Sequence, residues 1–469
     1  MPLSRREAAR SVALAVGATA ALGALEAPST AASAAAKKPT PKAGKYGPLV
    51  RHTGRGPTGY QVTFRYHAPS ATRVQLKGEW YFQDPLKLSP RLYSPDHAVE
   101  SDGLVPEDWY AGCIPMSHPN STNPWWPVVD MVKGRDGTWT TTVPLPGGVY
   151  TYGFFVDGDA DYASTTGQLP DPANPAWNVH KGVVDGRAVD RSQVYVPSDP
   201  DFDPVDMAWQ GPTTGTPGAL RYVTYDSPDH LDPVGQNFFV VYTPPGYDRK
   251  RSEPYPTFYL SHGGGEDEMG WTTQGNMQNI LDNLINEGLI EPMLVVMPNG
   301  NGYAASDTNE DYRVDLRERV IPWMEAHYHV SPDPLRRAFS GLSAGGMRTA
   351  YLLVGDTDLF GYYGIMSAGL PPGTVITDEM VAELVDKQVY VGSGWSDPID
   401  PGFTLPTTGR AIHRGPFRAV RDLTDAGVHV TSCFIDGTHE WHVWRLMLRD
   451  FLTRCAFLPQ TSAPESWGA

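Results

Sequence analysis

A serine in a glycine-rich pentad, an aspartate and a histidine further along this sequence could together carry out nucleophilic acyl transfer. The pentad is Gly341-Leu342-Ser343-Ala344-Gly345, with Gly346 directly after it. The apolar run Arg337-Ala338-Phe339-Ser340 precedes it and helix-compatible sequence, Met347 to Leu353, follows. That strand–turn–helix setting lets a serine Oγ project from a sharp turn between two tightly packed elements. A hydroxyl is a weak nucleophile until a base takes its proton. His439, in Asp436-Gly437-Thr438-His439-Glu440-Trp441, is the candidate base because imidazole can take and return a proton near neutrality. Asp397, in Gly392-Ser393-Gly394-Trp395-Ser396-Asp397, would fix the imidazole tautomer and stabilise its cation.

Acyl transfer also needs donors for the negative charge that develops on the carbonyl oxygen. Ser261-His262-Gly263-Gly264-Gly265 can turn backbone N–H groups toward that charge. Gly264 is the preferred donor there and Gly265 the alternative, acting with the N–H of Ala344. Gly265, Trp271, Trp395 and Trp441 are the candidate substrate contacts. Other residues compete for the roles: His262, His327, His329, His413 and His442 as base, Asp400 and Asp436 as acid. His439 is preferred for its loop-to-helix position, and Asp397 for its place after the penultimate core strand.

The elements that must position these residues alternate. Strands are expected at Thr257–Leu260, Met293–Met297, Arg337–Ser340, Gly361–Met366, Gln388–Val391 and Val428–Phe434. Helices are expected at Met277–Glu287, Val314–Tyr328, Gly345–Val354, Glu379–Val385, Pro416–Ala426 and Trp441–Arg454. The pattern predicts an α/β fold, a mostly parallel sheet with helices on both faces, entered through an antiparallel pair at Ala219–Tyr225 and Gln236–Tyr242. Ser343, Asp397, His439 and the Gly264 loop all fall at strand carboxyl ends, the edge where such sheets carry their sites. The order Ser…Asp…His is that of α/β-hydrolases.

Ahead of this region, period-two runs such as Tyr60–Tyr66, Gly137–Val143 and Val149–Val156 predict a β-sandwich. The expected organisation is a sandwich at 45–165, a Pro-, Asp- and Gly-rich linker at 166–217 and the α/β-hydrolase domain at 218–460. The insertion Leu86–Pro127 carries Trp109, Trp125 and Trp126, which either pack it against the sandwich or stack on sugar rings; packing is the simpler reading. Asp157, Asp159 and Asp161 lack the remaining pattern of a calcium loop and read as a charged hairpin turn.

The chain has 469 residues with 40% hydrophobic content, enough for more than one core. A net charge of -16 argues against nucleic acid or an anionic membrane as partner. Residues 1–36 read as a twin-arginine export signal: Arg5 and Arg6, an Ala-rich apolar run from Ser11 to Leu25, and small residues around Ala34. A secreted protein is expected. Of the three cysteines, Cys113, Cys433 and Cys455, at least one must be a free thiol, and no disulfide framework is expected. No metal or cofactor is implied.

Residues 219–458 resemble the feruloyl/acetylxylan-type carbohydrate esterases, and more distantly the enterochelin esterases and mycolyltransferases. The blocks that carry the likeness are His262–Trp271, Asn279–Ile285, Pro292–Gly300, Gly341–Gly346 and Gly437–Arg445. The resemblance implies Ser343, Asp397 and His439 as a catalytic triad and an acyl ester of plant polysaccharide as substrate. A siderophore ester or acyl transfer to a cell-wall sugar is the alternative, and a non-catalytic carbohydrate-binding protein a further one. Two departures stand out: Ala344, where feruloyl esterases commonly carry Met, and the insertion Pro398–Arg414 at the substrate rim. The N-terminal region is similar to immunoglobulin-like modules that precede catalytic domains in glycogen-branching enzymes and some carbohydrate esterases. Asp136–Trp139, Gly148–Tyr152, Val156–Gly158 and Asp171–Pro175 carry that likeness.

Overall fold

The computed structural model describes residues 46–84, 104–116, 126–158, 167–173, 183–184, 187–188, 192–304, 308–395, 397, 403–404, 411–412 and 415–459. The proposed signal and most of the Pro398–Arg414 insertion lie outside them, as do Trp125, Asp159 and Asp161.

In the N-terminal region, alternation of apolar and polar residues produces two four-stranded antiparallel sheets. One runs Leu49–His52, Tyr60–His67, Thr138–Val143, Val132–Lys133; the other Ser192–Val196, Gly148–Val156, Val74–Gly78, Val128–Asp130. Val62, Phe64 and Trp139 of the first sheet share a core with Leu76, Tyr152 and Phe154 of the second. Trp109, from the insertion, is buried in the same core, so packing has claimed it. Asp157 accepts from the backbone N–H groups of Thr72 and Arg73, at the start of the neighbouring strand Val74–Gly78.

The expected boundary at 165 needs correction. Ser192–Val196 lies inside the supposed linker, yet it pairs along its whole length with Gly148–Tyr152. Its period-two pattern is short, and the surrounding prolines and aspartates obscure it. The stretch that truly connects the two regions is 197–218.

The second region is built on an eight-stranded sheet. We number its strands in chain order: β1 Ala219–Leu231, β2 Val234–Thr243, β3 Thr257–Ser261, β4 Leu294–Pro298, β5 Arg337–Leu342, β6 Tyr362–Met366, β7 Gln388–Gly394 and β8 Val430–Ile435. The spatial order is β1-β2-β4-β3-β5-β6-β7-β8. β1–β2 and β2–β4 pair antiparallel, and all later pairs are parallel. Every residue of β3, β4 and β5 is buried, as expected where helices cover both faces. Separate apolar cores fill the two sides.

The helices are α1 Gly270–Thr273, α2 Met277–Asn286, α3 Thr308–Asp315, α4 Ile321–His327, α5 Ala344–Gly355, α6 Asp378–Glu383, α7 Pro416–Asp425 and α8 Trp441–Arg454. The helix expected at Val314–Tyr328 is divided by a π-turn at Leu316–Val320, and Pro322 sits in the first turn of α4. This is an α/β-hydrolase arrangement preceded by antiparallel sheets. Among the described residues no helix is long and apolar enough to cross a membrane.

Candidate active site

Register alone brings the candidate residues to one edge. Ser261 at the end of β3 is level with Gly341 of β5, and Leu342 with Met366 of β6. Met366 is level with Gly392 of β7, and Gly394 with Ile435 of β8. The four segments carrying Gly264, Ser343, Asp397 and His439 therefore leave the sheet at the same edge, with β6 between the second and third.

Ser343 sits between β5 and α5 with φ 53° and ψ -113°, a left-handed conformation that L side chains rarely adopt. Its N–H donates to the carbonyl of Met366 (2.9 Å) and its own carbonyl accepts from Met347 (2.9 Å), which fixes the turn. A Cβ at Gly345 would lie 2.5 Å from the Ser261 carbonyl oxygen, so only glycine lets the helix start this close to β3. Strain held by such surroundings is what an exposed nucleophile at a turn requires. Ser343 is half-buried.

His439 and Asp397 meet directly. His439 Nδ1 lies 3.0 Å from both Asp397 carboxylate oxygens. The Asp397 side chain is 0% exposed and that of His439 22%. Nδ1–H therefore donates to a carboxylate shielded from water, which leaves Nε2 as the basic atom. The two loops can meet because Gly394 has no side chain: a Cβ there would lie 2.5 Å from the Gly437 carbonyl oxygen. Trp444 supports the imidazole edge-on (centroids 4.8 Å apart) and donates its indole N–H to Ser367 Oγ (3.0 Å). Glu440 Oε1 accepts from the Thr438 N–H (3.2 Å), bracing the loop before His439.

The competing groups are engaged elsewhere. His262 is buried, its Nδ1 facing the Gly263 carbonyl (2.7 Å) and its Nε2 accepting from the Gly300 N–H (2.9 Å). Burial, with help from the Arg348 guanidinium, pulls its pKa down to about 3. Desolvation, then the nearby Arg445 cation, lowers His442 to about 3 as well. His329 accompanies the Tyr255–Val330 bridge at the opposite, amino-terminal edge of the sheet, and His327 stacks on Trp323. Asp436 is exposed, whereas His413 and Asp400 lie outside the described residues.

In the glycine loop, the Gly263 N–H is taken by Glu266 Oε2 (3.0 Å). Gly264 and Gly265 are exposed just beyond it, and Ala344 is the first residue of α5, where a helix offers its own N–H groups no acceptor. Two proposed substrate contacts require correction. Trp271 is 0% exposed and donates its indole N–H to the Ser261 carbonyl (2.9 Å). Trp441 is buried against it, edge to face, with centroids 5.1 Å apart. Their aromatic area is spent on the core beneath the site. Trp395 is 42% exposed, beside the Asp397 loop, and packs on Phe417 and Phe434 (centroids 5.3 and 5.5 Å).

Sequence reasoning gave no role to Glu266, Glu440, Trp444 or Arg348. The buried Arg348 guanidinium, on α5, donates to Ser261 Oγ (3.1 Å) and to the carbonyls of His262 (3.0 Å) and Gly300 (2.9 Å). It thereby ties the root of the glycine loop to the loop after β4. An arginine in the second turn of a helix carries no sequence signal for such a task. The cysteines 113, 433 and 455 are free thiols. Among the described residues no cluster of three or more His, Cys, Asp or Glu could hold a metal ion.

Comparison with known proteins finds esterases. The putative esterase family matches residues 236–455. An endo-1,4-beta-xylanase/feruloyl esterase from Xylanibacter ruminicola is 30% identical over 329 residues, which are 67% of this chain and 40% of that protein. This chain thus spans well under half of that relative. The feruloyl esterase module from Clostridium thermocellum complexed with sinapinate is 24% identical, covering 56% of this chain and 96% of that one, with a TM-score of 0.43. The enterobactin esterase from Shigella flexneri is 15% identical, covering 87% of this chain and 96% of that one, with a TM-score of 0.46. Residues 236–455 match the putative esterase family, and the chain is an α/β-hydrolase similar to feruloyl esterases.

Proposed function

We propose that the chain is a secreted serine carboxylesterase that removes acyl groups, feruloyl or acetyl, from plant polysaccharide. The observation that carries this reading is the buried Asp397 carboxylate against His439 Nδ1 on the sheet edge that also bears the strained Ser343 turn. In this mechanism His439 Nε2 takes the Ser343 proton as Oγ attacks the ester carbonyl. The N–H groups of Gly264 and Ala344 receive the negative charge on the former carbonyl oxygen. As the tetrahedral intermediate collapses, the carbon–oxygen bond to the leaving alcohol breaks and His439 gives that alcohol its proton. Water, deprotonated by the same nitrogen, then attacks the acyl-enzyme; the acid leaves and Ser343 regains its hydrogen.

The feruloyl reading draws on the exposed face of Trp395, which offers an aromatic acyl group a stacking surface beside the acid loop. Initial rates on methyl ferulate, acetylated xylan and a catecholate trilactone test it. The ferulate or the xylan should be turned over at least tenfold faster than the trilactone. A preference for the trilactone would move the substrate to a siderophore, and no turnover of any ester would overturn the reading. Export rests on Arg5, Arg6 and the apolar run after them. Replacing both arginines with lysine should hold the protein inside the cell, and undiminished export would contradict the assignment.

A further inference from the structure

The N-terminal sheets are hydrogen-bonded to the interior of the hydrolase region rather than tethered to its surface. Arg445, on α8 six residues after His439, is 2% exposed. It reaches across the junction, donating through Nη1 to the Val149 carbonyl (2.8 Å) and through Nη2 to Glu79 Oε2 (3.4 Å). Nε and Nη2 of the same guanidinium donate to the Gln274 carbonyl (3.0 and 2.6 Å). That carbonyl also accepts from Gln193 Nε2 (3.0 Å), in the N-terminal strand Ser192–Val196. Gln193 is 0% exposed, Gln274 5% and Glu79 6%, so water does not compete for these bonds.

Gln274 also faces the site. Its side-chain amide donates to Glu266 Oε1 (2.9 Å), and Glu266 Oε2 holds the Gly263 N–H (3.0 Å). A continuous hydrogen-bonded path therefore runs from Gln193 through Gln274 and Glu266 to the glycine loop. Through Arg445 the same junction holds the helix that follows His439. Trp444, beside Arg445, carries the edge contact to the imidazole. By contrast, every described tryptophan of the N-terminal region, Trp80, Trp109, Trp126 and Trp139, is buried and offers no face to a sugar.

We propose that the N-terminal β region is a brace for the active site, with Arg445, Gln274 and Glu266 as positioning residues that hold the His439 helix and the Gly263–Gly265 loop in register. This rests on the esterase reading above. A loop displaced by a fraction of an ångström still admits the ester but meets its transition state poorly, so the brace acts on kcat and leaves KM nearly unchanged.

The test uses the full chain carrying Gln193→Leu, Glu266→Gln, Arg445→Lys or Arg445→Met, with Ser343→Ala alongside. The readouts are kcat and KM on p-nitrophenyl acetate, the rate of phosphorylation by paraoxon, and Tm. Gln193→Leu and Glu266→Gln should fold, lower kcat about tenfold or more at a KM within twofold of wild type, and slow phosphorylation in parallel. Arg445→Lys should retain more kcat than Arg445→Met. If Arg445→Met does not fold, Gln193→Leu and Glu266→Gln decide. A lowered Tm with wild-type kcat in those two variants would overturn the brace and leave a purely structural junction. Wild-type activity in Ser343→Ala would instead overturn the esterase reading itself, which keeps the two failures distinct.

Discussion

His439 Nδ1 stands equidistant, 3.0 Å, from the two oxygens of a fully buried Asp397 carboxylate. A buried carboxylate fixes which imidazole nitrogen carries the proton and stabilises the cation formed during attack. Asn in its place keeps the shape but can donate where it should accept. Asp397→Asn should lower kcat on p-nitrophenyl acetate by about 10³–10⁴-fold with little change in KM. A loss under tenfold would mean that another group orients the base.

Trp395 lies over Phe417 and Phe434, whose rings are themselves stacked with centroids 4.1 Å apart. This platform is the exposed aromatic surface next to the acid loop. Removing one aromatic contact worth about 1 kcal/mol should raise KM for methyl ferulate roughly fivefold in Trp395→Ala. The same variant should leave KM for p-nitrophenyl acetate within twofold. Equal effects on both esters would indicate a distorted Asp397 loop rather than a lost acyl contact.

Arg348 holds three acceptors around the root of the glycine loop and is itself buried. Arg348→Met leaves those acceptors without a donor, at a cost of about 1–3 kcal/mol for each one left unsatisfied. Urea unfolding should show a lower midpoint, and kcat should fall because the loop loses its anchor. A variant with wild-type midpoint and kcat would contradict this role.

His262 yields a pH prediction. Its folded pKa is about 3, set first by burial, against an unfolded value near 6.5. Between those values the unfolded chain binds a proton that the folded chain refuses, so stability falls as pH is lowered from 6.5 toward 3. The slope attributable to this residue approaches ~1.4 kcal/mol per pH unit. Unfolding free energies at pH 7, 5.5 and 4.5 should therefore decline less steeply in His262→Gln than in wild type. Identical slopes would show that the histidine is not buried neutral.

The hydrolase half was legible in the sequence because its signals are local. Apolar runs of four to six residues became fully buried central strands, and G-x-S-x-G became a turn at positive φ. His439 and Asp397 each follow a strand whose carboxyl end the alternating pattern had already placed, and they lie 3.0 Å apart. What stayed hidden depends on distant partners. Trp271 and Trp441 look like site aromatics in a linear reading, and only their mutual packing shows them to be core. Ser192–Val196 is recognisable as a strand once Gly148–Tyr152 is beside it. Arg445, whose partners lie up to 366 positions away, could not be assigned a task without the fold.

If Ser343 is the acylated nucleophile, the rate of methyl ferulate hydrolysis by Ser343→Ala beside wild type shows it. A loss of at least about 10³-fold with unchanged Tm and circular dichroism is expected. Hydrolysis at the wild-type rate by the folded variant would contradict it.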